Sequence, residues 1–403
     1  METGGLTPRE RQKGRRVLNI YTLFNSLAFF LLSGNIITLF LLRLGTSNFF
    51  IGIISSFPYI SFFFMIIGKQ FIKKTGAVRL FSISWLFRYF LITPILLAPL
   101  FVSKGRLIEA YILLVIGLMG FQVARGIGLA SWNPIVGELA EGKDLGSFLA
   151  INHMIAYSAF IGTGILIAFL LAGDAPLSRY LVFISAGILF GICGSFLSFQ
   201  FPEPRSSVEE ASSRLWEKLI SGLKKVPFRN FIVAFSFLLF LCGIARPFIV
   251  VYAKQVYTQP DSTVVLFTVI GGIGAVITGF LSRMVIDRLG AKPLFIVYTI
   301  VFTSSLFLSA VAFPFQGTST ILFLSLIFFL FNLGSSGVDN AAQAYYFGLV
   351  NPEERLTFGI VYYFVYGMAA GFGSLLGGLF IDGLTFTGIA APVMVYRIFY
   401  GVL

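Results

Sequence analysis

The sequence predicts an all-α membrane protein of twelve transmembrane helices, arranged as two bundles of six with the N-terminus on the cytoplasmic side. Three observations predict it: a composition too apolar for water, a series of apolar runs of spanning length, and a one-sided distribution of Lys and Arg. Apolar residues make up 57% of the 403 and charged residues only 11%, whereas a soluble domain carries about 25% charged residues. So few polar side chains cannot coat a water-soluble globule, which excludes soluble metabolic enzymes, disordered chains and coiled coils. The formal charge of +12 does not point to nucleic acid. The basic residues sit in short clusters between apolar runs, as in membrane proteins with positive inner loops. The lipid bilayer is the partner this composition requires.

A span needs about 20 apolar residues at about 1.5 Å rise each. Runs of this kind lie at 17–42, 48–68, 80–102, 109–132, 148–172 and 180–201. A polar stretch covers 202–229. Further runs lie at 230–252, 263–282, 292–314, 320–347 and 357–381, and a last one starts near 388. The domains predicted are thus a first six-helix bundle (1–201), a cytoplasmic linker (202–229) and a second six-helix bundle (230–403). The run from Val17 is too long for a signal-peptide core and reads as a retained first span. The last run reaches only about 17 residues, the lower limit for crossing. It reads as a helix in which the chain stops short, with a short tilted helix as the alternative. Cys193 and Cys242 both fall inside apolar runs and read as buried thiols rather than a disulfide framework.

In the linker, Ser207 and Glu210 have capping-box spacing. Leu215, Trp216, Leu219, Ile220 and Leu223 recur at helical spacing beside Lys218, Lys224 and Lys225. That pattern predicts an interfacial helix on the inner leaflet, the alternative being a loosely ordered tether. With the N-terminus inside, the inner segments hold 20 of the 29 Lys and Arg, the outer loops 5 and the spans 4. The imbalance sets the orientation. The location expected is the plasma (bacterial inner) membrane.

The two halves repeat each other at an offset near 210. Lys73-Lys74-Thr75-Gly76-Ala77 aligns with Asp287-Arg288-Leu289-Gly290-Ala291. Gln122 aligns with Asn332, Asn133 with Gln343, Asn35 with Arg246 and Arg43 with Lys254. Parallel six-span repeats are a transporter architecture, with the solute site where the repeats meet.

The loop Asp287-Arg288-Leu289-Gly290-Ala291-Lys292 resembles the Asp-Arg-x-Gly-x-Lys signature of the major facilitator superfamily. The first-half copy departs from it, with Lys73 where the acid is expected. Gly126-Ile127-Gly128-Leu129-Ala130 resembles the Gly-x-Gly-x-Ala part of a second signature, with Gln122 and Arg125 replacing its usual upstream residues. Ile161-Gly162-Thr163-Gly164 is the nearest match to the antiporter signature, whose Pro-Gly pair is not visible. The resemblance extends over the whole chain in topology. It implies a secondary transporter working by rocker-switch alternating access, and a monomer. It also implies gating by Asp287, Arg288 and Gly290 and by Lys73, Lys74 and Gly76, with Asp287 pairing to a basic group or a helix N-terminus. The bland alternative is an ordinary positive loop in which Asp287 pairs with Arg288.

Charges inside spans are expensive, about 2.5–3.5 kcal/mol on insertion scales, and so mark cavities. Of 17 acids, only Asp339 lies well inside a span. Asn332, Ser336, Asp339 and Gln343 follow each other at helical spacing, which puts all four on one face of span 10. Such a face reads as a cavity lining, or as interhelical hydrogen-bond glue. Arg125 on span 4, Arg88 on span 3 and Arg246 on span 7 supply three fixed cations, and Arg88 is close enough to the inner end to snorkel. Arg246 precedes Pro247, which favours a kink. A net positive interior suits an anionic solute, because guanidinium is a fork for carboxylate and phosphate. Alternatively Asp339 neutralises one arginine, most simply Arg125. The binding residues expected are Arg246, Arg125, Asn332, Ser336, Asp339, Gln343, Asn35 and Gln122. Asn152, Tyr157, Tyr362, Tyr363 and Tyr366 are further contacts on spans 5 and 11. Asp339 can alternate between a proton and an arginine, so it is the coupling candidate, with His153, the only histidine, as the second. The glycines of spans 8 and 11 read as close-packing positions.

The function expected is secondary transport of a small organic anion, coupled to a proton or a counter-anion. The alternative is proton-coupled efflux of lipophilic or cationic compounds through Asp339. No phosphate-binding loop, cofactor motif or metal-ligand cluster is present in the sequence, and no enzyme is predicted.

Overall fold

The computed structural model describes residues 6–140, 145–171, 175–204, 224–311, 315–349, 355–386 and 391–403. The predicted interfacial helix of the linker, at 205–223, lies outside the described residues. What is described is helical, with no strand among the described residues. Among the described residues, eleven helical segments are long and apolar enough to cross a membrane, which makes the chain a polytopic integral membrane protein. The twelfth, Pro392–Val402, has 11 residues. At about 1.5 Å per residue it falls well short of a hydrocarbon core of about 30 Å.

The first helix begins earlier than its apolar run. It starts at Pro8, where Thr7 and Glu10 form a capping box that satisfies the first backbone donors. Several spans are interrupted, and the interruptions of spans 1 and 7 have an identifiable reason. Span 1 divides at Gly34, whose φ of 57° is left-handed, giving Pro8–Leu32 and Gly34–Arg43. Span 7 divides at Arg246-Pro247, giving Val226–Ala245 and Phe248–Gln255. Pro247 has no N–H, so the carbonyl of Gly243, four residues back, loses its helical donor. The Ser374 hydroxyl of span 11 donates to that carbonyl at 3.0 Å. Span 2 passes from Asn48–Ile60 through a 3₁₀ turn, Ser61–Phe64, to Met65–Thr75. Spans 8 to 11 (Asp261–Leu289, Ala291–Val311, Thr318–Leu349 and Arg355–Phe386) are continuous. The breaks of spans 1 and 7 stand at positions aligned by the repeat, since Asn35 aligns with Arg246.

The chain forms two compact units. One comprises Met1–Ile37, Phe57–Thr163 and Pro176–Ser213; the other comprises Thr38–Ser56, Gly164–Ala175 and Arg214–Leu403. In the first unit, span 1 packs on span 6, span 3 on spans 4 and 6, and span 4 on span 2. In the second, span 9 packs on spans 10 and 12, span 10 on span 8, and span 7 on span 11. The pairs 3–4, 3–6 and 2–4 thus recur as 9–10, 9–12 and 8–10.

Close approach explains the span 4 glycines. A Cβ on Gly126 would collide with the Ser61 carbonyl in the 3₁₀ turn of span 2. The resemblance to a signature thus rests, at this residue, on a helix crossing that admits no side chain. Of the two cysteines, Cys242 is buried as expected, but Cys193 is exposed on its helix.

Candidate functional site

The intramembrane charges occur in both units of the chain. In the second unit, Arg246 Nη2 lies 3.8 Å from Asp339 Oδ2, with side chains 38% and 32% exposed. The Tyr366 hydroxyl donates to the same Oδ2 at 3.4 Å. Arg246 occupies the break in span 7, where its backbone still donates to Cys242, so the guanidinium is aimed from an irregular point of the helix. Asp339 comes from span 10 and Tyr366 from span 11. Phe235, Tyr362 and Tyr346 form a buried aromatic floor beside them. At about 4 Å and an effective dielectric near 20, such a pair attracts by about 4 kcal/mol before desolvation is subtracted. A long, partly exposed ion pair is one that a competing ion can enter. The partner of Asp339 is therefore Arg246, where the sequence favoured Arg125.

Span 10 does not present its polar face as a single cluster. Asn332 turns its amide back to the Phe328 carbonyl at 2.9 Å and lies against Gly271 of span 8. Ser336 is half-buried and Gln343 exposed. Ser335, the repeat equivalent of Arg125, is buried with no hydrogen-bond partner for its hydroxyl.

In the first unit, Arg125 Nη1 donates to Ser61 Oγ at 3.1 Å, to the Pro58 carbonyl at 3.3 Å and to Gln122 Oε1 at 3.3 Å. It thus serves the irregular turn of span 2 and brings Gln122 with it. Asn35 lies just past the break at Gly34 and is half-buried. Asn152 donates to Thr22 Oγ1 at 2.6 Å and to Asn19 Oδ1 at 3.3 Å. His153 is exposed and stacks with Tyr157.

Arg88 does not snorkel. It is 2% exposed and lies over Trp85, Tyr89 and Phe121, with its carbon 4.0 to 4.9 Å from their ring centres. Its Nη2 donates to Asn25 Oδ1 at 2.8 Å and to the Tyr89 hydroxyl. Aromatic faces hold this cation inside the first unit.

The proposed gating loops are described in part. Gly76 and Gly290 both take φ near +84° (84° and 83°), a conformation glycine adopts without strain. Lys74 is exposed. The side chains of Lys73, Asp287 and Arg288 lie outside what is described. At the first loop, Glu203, just beyond span 6, accepts from the Ala77 and Val78 amides that open span 3. A carboxylate at a helix N-terminus satisfies orphan donors and opposes the helix dipole. An acid missing from this loop's own sequence is thus supplied from elsewhere in the chain, which no local motif could reveal.

A cavity of about 480 Å³ lies elsewhere in the second unit, lined by Tyr257, Gln259, Gln316, Thr320 and Arg397 among others. Burial pushes the Tyr257 phenol above its ordinary range.

This architecture has solved counterparts. The nucleoside transporter NupG superposes with a TM-score of 0.72 at 14% identity, covering 96% of each chain. A bacterial homologue of the iron transporter ferroportin superposes at 0.68 with 14% identity, covering 96% of this chain and 98% of that one. The xylose transporter XylE from E. coli superposes at 0.62 with 17% identity, covering 97% of each. The chain therefore has the major facilitator fold. No protein-family model matches the sequence, and no curated protein matches it.

Proposed function

We propose that this chain is a secondary active transporter of a small organic solute in the plasma membrane, a bacterial inner membrane by our reading. It works by alternating access of its two six-span halves, 1–201 and 230–403. The observation that carries the reading is the Arg246–Asp339 pair at the break of span 7. Discontinuous helices and intramembrane ion pairs mark solute and coupling-ion sites in transporters. The fold shared with nucleoside, iron and xylose transporters supports transport as the class of activity.

The preferred solute is an anion. Its carboxylate or phosphate takes the Arg246 fork in place of Asp339, and a proton taken up by Asp339 compensates the displaced charge. Tyr366 then donates to whichever anion occupies the site. In the alternative, efflux of cationic or lipophilic compounds, the cation takes Asp339 and the aromatic floor holds the apolar part.

A thermal-shift panel of matched anionic, neutral and cationic solutes separates the two. It is run on the purified chain and on Arg246→Ala and Asp339→Asn. Stabilisation by anions that is lost in Arg246→Ala supports the anion reading. Stabilisation only by cations, lost in Asp339→Asn and kept in Arg246→Ala, removes it and favours efflux.

A further inference from the structure

Three stretches of the second unit meet around the cavity of about 480 Å³. They are the bend at 256–260 between spans 7 and 8, the turn at 315–317 before span 10, and the first turns of the short helix Pro392–Val402. All lie at span ends on the side opposite the Lys- and Arg-rich loops. Neither Arg246 nor Asp339 lines this cavity. The bend is fixed by its own bonds. The Gln259 amide donates to the Ala253 carbonyl at 3.1 Å, and Gln259 Nε2 donates to the Tyr257 carbonyl at 3.0 Å. Thr258, between them, takes a φ of 48°, the one positive φ outside glycine among the described residues. For a β-branched residue that conformation is strained, and strain of this kind collects at ligand clamps.

The lining has a definite chemistry. Arg397 is its one charged residue, with no carboxylate in the wall. Arg397 Nε donates to the Val311 carbonyl, at the end of span 9, at 3.2 Å, which sets the plane of the guanidinium at the cavity. One such bond does not exhaust five N–H donors in a rigid fork. Gln259, Gln316 and Thr320 add carboxamides and a hydroxyl, groups that both donate and accept and so suit alcohols. Phe315 supplies an aromatic face and packs edge-on against Phe323, with ring centres 5.1 Å apart. The volume lies in the range of small-molecule sites, about 300–1,000 Å³. A water molecule takes only about 30 Å³, so a bare small ion does not fill it. Ile321, Leu322 and Met394, on the same two helices, are exposed apolar side chains, as a lipid boundary requires. A cationic, hydroxyl-binding pocket beside that boundary suits an anion that carries alcohol groups and stands at the membrane surface.

We propose that this cavity binds a phosphate ester of a polyol, with Arg397 holding the phosphate and Gln259, Gln316 and Thr320 holding the hydroxyl groups. The headgroup of an anionic phospholipid and a free polyol phosphate offer the same chemistry. The site is separate from the Arg246–Asp339 pair, so it does not depend on which solute the chain moves.

The test is native mass spectrometry of the purified, delipidated chain in a non-ionic detergent. Phosphatidylglycerol, phosphatidylcholine and glycerol 3-phosphate are added separately at matched concentrations. The parental chain should retain phosphatidylglycerol or glycerol 3-phosphate about tenfold more strongly than phosphatidylcholine, the scale of one hydrogen bond to a charged group. Preference for phosphatidylglycerol alone assigns the site to a lipid, and binding of glycerol 3-phosphate assigns it to a soluble ligand. Arg397→Gln should remove the preference. Gln316→Ala, on an exposed turn, should lower it about threefold. Val393→Trp fills the cavity while leaving Arg397 in place, and should abolish it, so the outcome does not hang on the folding of Arg397→Gln. Arg179→Gln, an exposed arginine of the first unit, should leave it unchanged. No preference in the parental chain would overturn the site. So would a preference that survives in folded Gln316→Ala and Val393→Trp, or one that falls equally in Arg179→Gln, since diffuse surface charge then explains it. No transport step enters the readout, so the outcome bears on this site alone.

Discussion

Arg246 and Asp339 stand out in the sequence because a charge in an apolar run has to be accounted for. Both were legible for that reason. Their pairing was not, since the partner of Asp339 depends on how spans 7 and 10 pack, and periodicity carries no information on that. Ser374 left no mark at all, although it has a definite task. With Pro247 removing a backbone donor, its hydroxyl is the donor that reaches the Gly243 carbonyl. Ser374→Ala should lower the stability of the purified protein by about 1–3 kcal/mol, the cost of a buried acceptor left unsatisfied, read as a drop in melting temperature. Ser374→Thr should retain most of it. An unchanged melting temperature in Ser374→Ala would mean that the carbonyl finds another donor. Glu203 was equally hidden, because its partners are the Ala77 and Val78 amides far away in sequence. Glu203→Ala should cost about 0.5–1 kcal/mol through the lost cap on span 3, and Glu203→Gln, which keeps an acceptor, should cost less.

At the scale of elements, the spans were read well where hydropathy alone decides, and less well where a helix breaks. The kink of span 7 is announced by Pro247. The break of span 1 is not, because a lone glycine in an apolar run does not reveal a positive φ. The aligned breaks at Gly34 and Arg246 place Asn35 and Arg246 at corresponding points of the two halves. Gly34→Ala should cost about 1–2 kcal/mol from backbone strain alone, since nothing lies within 4 Å of its Cβ position. Gly126→Val should do at least as much harm for the opposite reason, a collision with the Ser61 carbonyl. Melting curves of both variants test the distinction. A smaller residue at position 61 cannot relieve Gly126→Val, because the clash is with backbone. Arg88 belongs at this scale too. The aromatic cage that keeps it buried is assembled from spans 3 and 4, which is why the sequence read it as a candidate for snorkelling.

For the whole molecule, composition and run length were enough to reach a bundle of membrane-spanning helices, the internal repeat and the Asp287–Lys292 loop pointed to the paired arrangement, and the solved transporters share that fold. The solute was not legible, because specificity depends on which side chains meet across spans and not on any local pattern. The central claim is that this chain moves a small organic solute through a site containing Arg246. The most direct measurement is uptake into proteoliposomes from a defined mixture of organic anions, neutral solutes and cations. The lumenal contents are then quantified by mass spectrometry against protein-free vesicles. Accumulation of one or more anions by the parental chain, abolished in Arg246→Ala while the variant remains folded, is the expected result. No solute above the protein-free level, from protein shown to be folded and inserted, would contradict it.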